Sequence, residues 1–197
     1  QHPAVRYELF FTDRRVDLLR EGLDVAFRIT SKPPEAWVAQ PVLRFEVRAY
    51  GSGSLQLQSP QDLVGVPMLL LGQSDELYVS QWQHDDGLRE EVSLQASAWG
   101  SDLDGLIALA RHGNGVVLAP DFCVLPPACL RIADGDQRRA GDESLWAGAG
   151  LVNVLPGWRL IVGMEAVQAL TLPLPAGSET ARVLVRFVRE ALGSAKL

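Results

Sequence analysis

The first thirty residues of the chain contain three short segments with three different apolar patterns. In residues 5–11 every second side chain is apolar, which predicts a partly buried strand. Thr12 then offers a hydroxyl for the N-terminus of a helix that Gly22 would end. The apolar residues on one face of this helix are Val16, Leu19 and Leu23. Residues 23–29 form an apolar run of the length expected for a strand buried on both faces. The order strand, helix, strand predicts an α/β fold.

Helices and short apolar strands alternate along the rest of the chain. Ser59 is a candidate N-cap, with Pro60 at the first helical position and Asp62 in the reciprocal place. Residues 101–104 form a second capping box that opens a helix, and a closing helix is expected at 178–192. The apolar faces of these two helices would be Leu103, Leu106, Ile107 and Ala110, and Ala181, Leu184, Phe187, Val188 and Ala191. Extended chain is predicted at residues 37–50, 67–71, 92–96 and 116–119. This alternation favours parallel sheets built from βαβ units.

Several sequence blocks follow one another in an order typical of a known family. The first block contains HPAVRYEL at residues 2–9 and VDLLREGLDVAFRI at residues 16–29. The later blocks are SPQDL at 59–63, GNGVVLAP at 113–120, LVNVLPGW at 151–158 and the helix at 182–192. Each block is common by itself, and their shared order over nearly the whole chain is specific. Together they resemble the effector-binding domain of LysR-type transcriptional regulators.

The resemblance implies an α/β fold of two Rossmann-like subdomains joined by two crossing strands, similar to type 2 periplasmic binding proteins. Subdomain I would comprise residues 1–44 and 161–197, and subdomain II residues 45–160. The chain would leave subdomain I near Phe45 and return near Trp158. The family also has an opening strand and helix, a linker helix and a winged helix-turn-helix, which this sequence lacks. DNA would therefore be bound only through an absent N-terminal domain.

The charge of the chain bears on its partners. The net charge is −6 and the pI is about 5.1, which argues against direct contact with nucleic acid because phosphate binding needs clustered Lys and Arg. No apolar run reaches membrane-spanning length, and no leader is seen at the start. We therefore expect a cytoplasmic domain without a membrane partner.

The residues capable of catalysis or metal binding are scattered. His2, His84 and His112 have no companions at metal-ligand spacing, so we expect no metal. Residues 72–76 (GQSDE) approach a nucleophile elbow, but Glu76 stands where that motif needs Gly. The acidic pairs at 85–86 and 90–91 are adjacent and favour a solvated surface over a general acid and base. We expect no enzyme and no cofactor.

Two further features have open interpretations. Cys123 and Cys129 lie in an apolar, Pro-rich segment, where packing as reduced thiols is favoured over redox sensing. Residues 131–150 resemble an insertion, and their Gly, Asp and Arg content favours a polar loop. Trp146 is the residue of this loop that could contact the body of the domain or a ligand.

A ligand site is expected where open α/β sheets place one, at the carboxyl ends of the strands. The candidate residues at those ends are Thr12, Arg28, Ile29, Gln73, Ser74, Trp99, Gly100 and Ser101. Thr12 could serve as a helix N-cap, and the resemblance places it where family members contact the inducer. Arg28 could instead form a surface ion pair. Free N–H groups at the helix after Ser101 would suit a carboxylate.

The sequence therefore predicts an effector-sensing and oligomerising domain of a LysR-type regulator. Its ligand would be a small organic acid bound between the subdomains. The resemblance implies a homodimer, or a tetramer in the full-length protein. An alternative is a type 2 solute-binding protein that delivers a ligand to a transporter, which shares the fold. A small hydrolase built on Ser74 is a third, disfavoured class.

Overall fold

The computed structural model describes residues 6–12, 14, 16–72, 77–124, 131–132, 150–164, 166–174 and 176–193. These residues form twelve strands, two α-helices and two short 3₁₀ helices. The strands are β1 (Ala26–Ile29), β2 (Val38–Arg44), β3 (Val47–Gly51), β4 (Met68–Leu71), β5 (Tyr78–His84), β6 (Arg89–Leu94), β7 (Ala96–Gly100), β8 (Val116–Pro120), β9 (Arg131–Ile132), β10 (Val152–Asn153), β11 (Trp158–Leu160) and β12 (Ala166–Thr171). The helices are α1 (Leu103–Arg111) and α2 (Glu179–Gly193), and the 3₁₀ helices are Pro60–Gly65 and Asp121–Cys123.

The strands form two sheets. The first sheet has the order β1-β12-β2-β9, and its described pairs are antiparallel. The second sheet has the order β6-β5-β11-β3-β8-β4-β7, with β10 also paired to β3. In this sheet β4 runs parallel to both β7 and β8, as predicted for a βαβ unit that includes α1. The parallel arrangement predicted for the rest of the chain is therefore confined to one region of the second sheet.

The chain passes between the sheets at several places. Phe45 and Glu46 join β2 of the first sheet to β3 of the second, and the chain passes back to the first sheet between Leu160 of β11 and Ala166 of β12. These passages lie close to the crossings predicted near Phe45 and Trp158. In addition, β9 pairs with β2, so a strand within the range 45–160 belongs to the first sheet. The assignment of 1–44 with 161–197, and of 45–160, to two subdomains remains a prediction.

The N-terminal segment differs from its sequence pattern. Residues 6–12 have no regular secondary structure, and their side chains are exposed, so the strand predicted at 5–11 is wrong over the described residues. An alternating pattern forms a strand only where a neighbouring strand supplies hydrogen bonds and packing. The helix predicted after Thr12 is a single turn at residues 18–22. Asp17 Oδ1 accepts the N–H groups of Leu19 and Arg20 at 3.0 and 3.1 Å, so Asp17 and not Thr12 caps this turn.

The helix capped by Asp102 covers one face of the second sheet. Asp102 Oδ2 accepts the N–H of Gly105 at 2.9 Å, so the N-cap of α1 is one residue later than the predicted Ser101. The buried side of α1 contains the predicted Leu106, Ile107 and Ala110. Together with residues of β3, β4 and β8, these side chains form the core between helix and sheet.

The closing helix α2 packs against the first sheet. Ser178 Oγ accepts the N–H of Ala181 at 3.3 Å, close to the predicted helix start. Ala181 and Val185 are buried, whereas Phe187 and Ala191 are exposed, which corrects the inward face given above. The helical repeat alone did not identify which side of α2 meets the sheet, since Val185 and Phe187 are both apolar.

Two smaller elements are the 3₁₀ helix Pro60–Gly65 and the hairpin of β5 and β6. The 3₁₀ helix Pro60–Gly65 follows Ser59 as predicted, and Asp62 Oδ2 accepts the N–H groups of Gln58 and Ser59 at 2.8 and 2.9 Å. These two backbone hydrogen bonds lower the pKa of the Asp62 carboxyl, and the one from Ser59 has the larger effect. The hairpin of β5 and β6 was not predicted.

No helix within the described ranges is long and apolar enough to span a membrane.

Candidate functional site

Thr12 and Arg28 are linked through the backbone of Arg14. The Thr12 hydroxyl accepts the N–H of Arg14 at 3.2 Å, and Arg28 Nη2 donates to the carbonyl oxygen of Arg14 at 2.9 Å. The Thr12 hydroxyl therefore stabilises a turn that is not followed directly by a helix. The hydrogen bond from Arg28 connects that turn to β1. Within the described part of the chain, Arg28 makes this hydrogen bond to a carbonyl oxygen and not the surface ion pair considered for it.

The end of β1 that carries Arg28 and Ile29 faces the passage between the sheets. Ile29 pairs with Val167 of β12, and Val167 pairs with Leu43 of β2. Leu43 comes two residues before Phe45, where the chain crosses into the second sheet. The side chain of Ile29 is partly exposed near this crossing, and that of Arg28 is half-buried. The structure thus places both predicted residues at the edge of the first sheet nearest the second.

A second group of predicted residues lies where β4 and β7 end. Leu71 and Gly100 are register partners in these parallel strands, and the N–H of Gly72 donates to the carbonyl oxygen of Gly100 at 2.9 Å. This bond keeps the chain leaving β4 against the end of β7. Gln73 and Ser74 follow directly and lie outside the described residues.

Trp99 presents its indole on the face of the second sheet opposite α1. Its neighbour Ala98 packs in the core beneath α1, and successive strand residues point to opposite faces. Leu70, the register partner of Trp99 on β4, packs with the other core of this sheet. Trp99 is 50% exposed, on a strand with a free edge among the described residues. It offers a flat apolar surface beside the ends of β4 and β7.

The start of α1 is less suited to an anion than the sequence indicated. Ser101 is exposed but is not the cap, because the Asp102 carboxylate already accepts the Gly105 N–H, and Asp104 adds a second negative charge in the first turn. Negative side chains here use the positive end of the helix dipole. A carboxylate ligand would meet repulsion at this point, so the expectation built on free N–H groups after Ser101 is weakened.

The carboxyl end of β8 joins this region to the crossing. Pro120 of β8 pairs with Val47, the first residue of β3 after the crossing, and the N–H of Asp121 donates to the carbonyl oxygen of Glu46 at 2.9 Å. The ends of β4, β7 and β8 therefore lie on the side of the second sheet from which the chain passes to the first. The hydrogen bonds join Thr12 with Arg28, and Gly72 with Gly100, as two separate groups.

A charged pair in the crossing was missed by the sequence analysis. Arg48 Nη2 and Nε donate to Glu46 Oε2 at 2.6 and 3.1 Å, and Arg48 Nη1 donates to the carbonyl oxygen of Trp158 at 3.4 Å. Glu46 and Arg48 are two residues apart, a spacing that puts opposite charges on one side of an extended chain. That spacing was the signal that could have identified the pair.

Cys123 lies in the 3₁₀ helix after β8. Burial, and then the negative charges of Asp104 and Asp121, raise the pKa of its thiol to about 11. Cys129, its predicted companion, lies outside the described residues. Among the described residues, no group of three or more His, Cys, Asp or Glu side chains is placed to hold a metal ion.

Comparison with known proteins identifies what the chain is similar to. The family model described as LysR substrate binding domain matches residues 1–134. The regulatory domain of an AphB variant from Vibrio vulnificus aligns with a TM-score of 0.68 and 16% identity, covering 97% of this chain and 86% of that one. Comparison with curated proteins gives no match.

Two further solved structures show the same fold. CrgA, a LysR-type transcriptional regulator from Neisseria meningitidis, aligns with a TM-score of 0.69 and 19% identity, over 98% of this chain and 60% of that one. The effector domain of the transcriptional regulator AmpR of Pseudomonas aeruginosa aligns with a TM-score of 0.65 and 19% identity, over 98% and 83%. The α/β fold similar to type 2 periplasmic binding proteins is thereby confirmed.

Proposed function

The chain belongs to the LysR substrate binding domain family, and on that premise we propose that it binds a small organic acid between its two sheets. Family membership makes it an effector-binding regulatory domain of a LysR-type transcriptional regulator. This membership favours the regulator over the solute-binding protein. The related proteins are regulators rather than enzymes, and the proposal includes no chemical reaction.

The proposal that the ligand is an organic acid rests on the position of Arg28. Its guanidinium stands at the crossing-facing end of β1 and uses one N–H for the carbonyl oxygen of Arg14. A guanidinium has five N–H donors in a planar fork that matches a carboxylate. The same hydrogen bond holds the turn that carries Thr12, so a ligand carboxylate at Arg28 would lie close to that turn. Arg28 both binds the anion and positions Thr12 in this proposal.

The apolar part of the ligand is proposed to meet the second sheet. Trp99 is half exposed near the end of β7 and offers an aromatic face. The negative charges of Asp102 and Asp104 at the start of α1 disfavour a carboxylate on this side. We therefore orient the acid with its carboxylate toward Arg28 and its apolar group toward Trp99, with Gln73, Ser74, Gly100 and Ser101 around it.

A thermal-shift experiment tests the site with defined probes. Benzoate, cyclohexanecarboxylate and the neutral benzamide separate the need for charge from the need for an aromatic ring. A bound probe at about 100 times its dissociation constant adds about 2.7 kcal/mol of stability, a rise of roughly 5–10 °C in melting temperature. The two carboxylates are expected to raise the melting temperature of the parent protein, whereas benzamide is expected to leave it unchanged.

Variants locate the binding residues. Thr12→Val and Arg28→Gln are expected to remove most of the rise in melting temperature that a carboxylate causes. Ser101→Ala is expected to reduce this rise. Phe187→Ala, an exposed substitution on α2, is the control that keeps it. Equal binding of a carboxylate by the parent, Thr12→Val, Arg28→Gln and Ser101→Ala would place the ligand elsewhere.

Assembly into a homodimer is a second proposal. LysR-type regulators oligomerise, and the family resemblance suggests that residues 14–21 of one copy meet residues 102–111 of another. Leu19 and Leu109 in these segments are exposed by 70% and 42%. Sedimentation at micromolar concentration is expected to show a dimer that Leu109→Asp dissociates. A parent protein that sediments as a monomer would contradict this arrangement.

The remaining partners follow from the family. LysR-type regulators bind DNA through an N-terminal domain. The net charge of −6 agrees with a regulatory segment that does not itself contact DNA. We propose that effector binding changes the relative placement of the two sheets and that the DNA-binding domain of a cytoplasmic regulator responds to that change.

A further inference from the structure

We propose that Phe122 and Val167 interlock the two sheets and act as positioning residues for the ligand site between them. Each of the two side chains packs against the core of the sheet to which it does not belong. The core of the second sheet includes Trp82, Leu94 and Trp158, and the core between α2 and the first sheet includes Val42 and Val185. Phe122 and Val167 pack against both cores.

Phe122 reaches the first sheet from the end of β8. It lies in the 3₁₀ helix Asp121–Cys123, which is fixed to the crossing by the hydrogen bond from the N–H of Asp121 to the carbonyl oxygen of Glu46. The Phe122 ring meets the Phe45 ring edge-to-face, with 5.6 Å between centroids and 80° between planes. Two independent contacts therefore fix the Phe122 backbone and ring where β2 passes into β3.

Val167 makes the reciprocal contact from β12. It follows the second passage between the sheets and pairs with Ile29 on one side and Leu43 on the other. Val167 therefore belongs to the strand that holds β1 and β2 together, and its side chain also touches the core of the second sheet. A rotation of one sheet against the other would change the packing of Phe122 and Val167 at once.

The interlock would regulate the proposed site. Ile29 is the register partner of Val167, and Arg28 precedes it on β1, while Phe122 follows the end of β8 beside the ends of β4 and β7. Packed interfaces favour discrete arrangements over continuous deformation. This last step rests on the proposed function, but the interlock itself needs no ligand and can be measured without one.

Hydrogen exchange of the ligand-free protein tests the coupling. In the parent, amides of β2 and β12 and amides of β5 and β6 are expected to open in one cooperative unit. Phe122→Ala and Val167→Ala should lower the protection of β2 and β12 by roughly tenfold more than that of β5 and β6, because the sheets then open separately. Calorimetry should show one unfolding transition in the parent and two in these variants.

Matched substitutions separate coupling from simple loss of packing. Val92→Ala removes the same two methyl groups from a buried valine within the second sheet's core and away from the crossing. It is expected to lower protection in both sheets equally and to keep a single transition. Phe122→Leu retains most of the apolar volume and is expected to keep a single transition. Equal loss in both sheets for Phe122→Ala and Val167→Ala, as for Val92→Ala, would overturn the interlock, and Val167→Ala alone decides the outcome if Phe122→Ala does not fold. Failure of every carboxylate probe would leave this result unaffected.

Discussion

Arg48 Nη2 lies 2.6 Å from Glu46 Oε2, in an ion pair whose side chains are only 8% and 22% exposed. Arg48 Nη1 also donates to the carbonyl oxygen of Trp158, so one guanidinium connects β3 to the start of β11. These two strands adjoin the two passages between the sheets. The pair therefore fixes the spacing of the chain segments that lead to and from the first sheet.

Removing Arg48 should cost far more stability than removing an exposed arginine. Arg48→Ala breaks its mostly buried ion pair with Glu46, and breaking a buried pair typically costs about 3–5 kcal/mol. Arg159→Ala is the control, because Arg159 is partly exposed and pairs at 3.5 Å with the exposed Asp85, and such pairs contribute about 0–1 kcal/mol. Urea denaturation measures both changes in the free energy of unfolding. Equal losses would show that the Arg48 pair is solvated.

Asp102, and not Ser101, should stabilise α1. Asp102→Ala removes the acceptor of the Gly105 N–H and should cost about 1 kcal/mol. Ser101→Ala should change the free energy of unfolding by no more than about 0.5 kcal/mol, because Ser101 is exposed outside the helix. Thermal unfolding of the two variants measures the difference. A larger loss for Ser101→Ala would restore the cap expected from the sequence.

Gly115 should tolerate no side chain. Its φ of +145° is rare for L-residues, and an added Cβ would overlap the carbonyl oxygen of Pro67. That carbonyl accepts the N–H of Val116 at 2.8 Å, so the clash would disturb the pairing of β4 with β8. Gly115→Ala is expected to cost at least about 2 kcal/mol, whereas Gly65→Ala, with open space around its Cβ, should cost about 1 kcal/mol or less. Chemical denaturation of both variants provides the comparison.

The sequence predicted best those elements whose determinants are local. The helix at Pro60–Gly65 needs only Ser59, Pro60 and Asp62, and the buried side of α1 follows from helical spacing. The strand at residues 67–71 appears as β4, since a short apolar run between turns suits a strand that is buried on both faces of its sheet. The hairpin of β5 and β6 also has a local signal, because Asp86 and Gly87 form a dipeptide typical of hairpin turns.

Elements that depend on distant partners could not be predicted in this way. The alternation in residues 5–11 gives a strand only beside another strand, and residues 6–11 pair with no strand among the described residues. The same limit applies to the site. The sequence placed Thr12 and Arg28 at neighbouring strand ends, but the carbonyl oxygen of Arg14 that joins them carries no residue-type signal. The interlock of Phe122 with the first sheet likewise depends on tertiary packing.

The Cys123 thiol should be unreactive near neutral pH. Burial, with Asp104 and Asp121 nearby, raises its pKa from the ordinary value of 9.0 to about 11. At pH 8 the thiolate, which is the reactive form, is then roughly 100-fold scarcer than in the unfolded chain. Alkylation by iodoacetamide, followed by peptide mass spectrometry, should be slow in the native protein and fast in urea.

The stability of the protein should also depend on the Cys123 thiol at high pH. Because the native thiol holds its proton more tightly than the unfolded one, its stabilising contribution is present below about pH 9 and is lost as the pH rises toward 11. The stability difference between the parent and Cys123→Ser should therefore shrink over that interval. Rapid formation of a Cys123–Cys129 bond with peroxide at pH 7 would contradict the packing role and favour redox sensing.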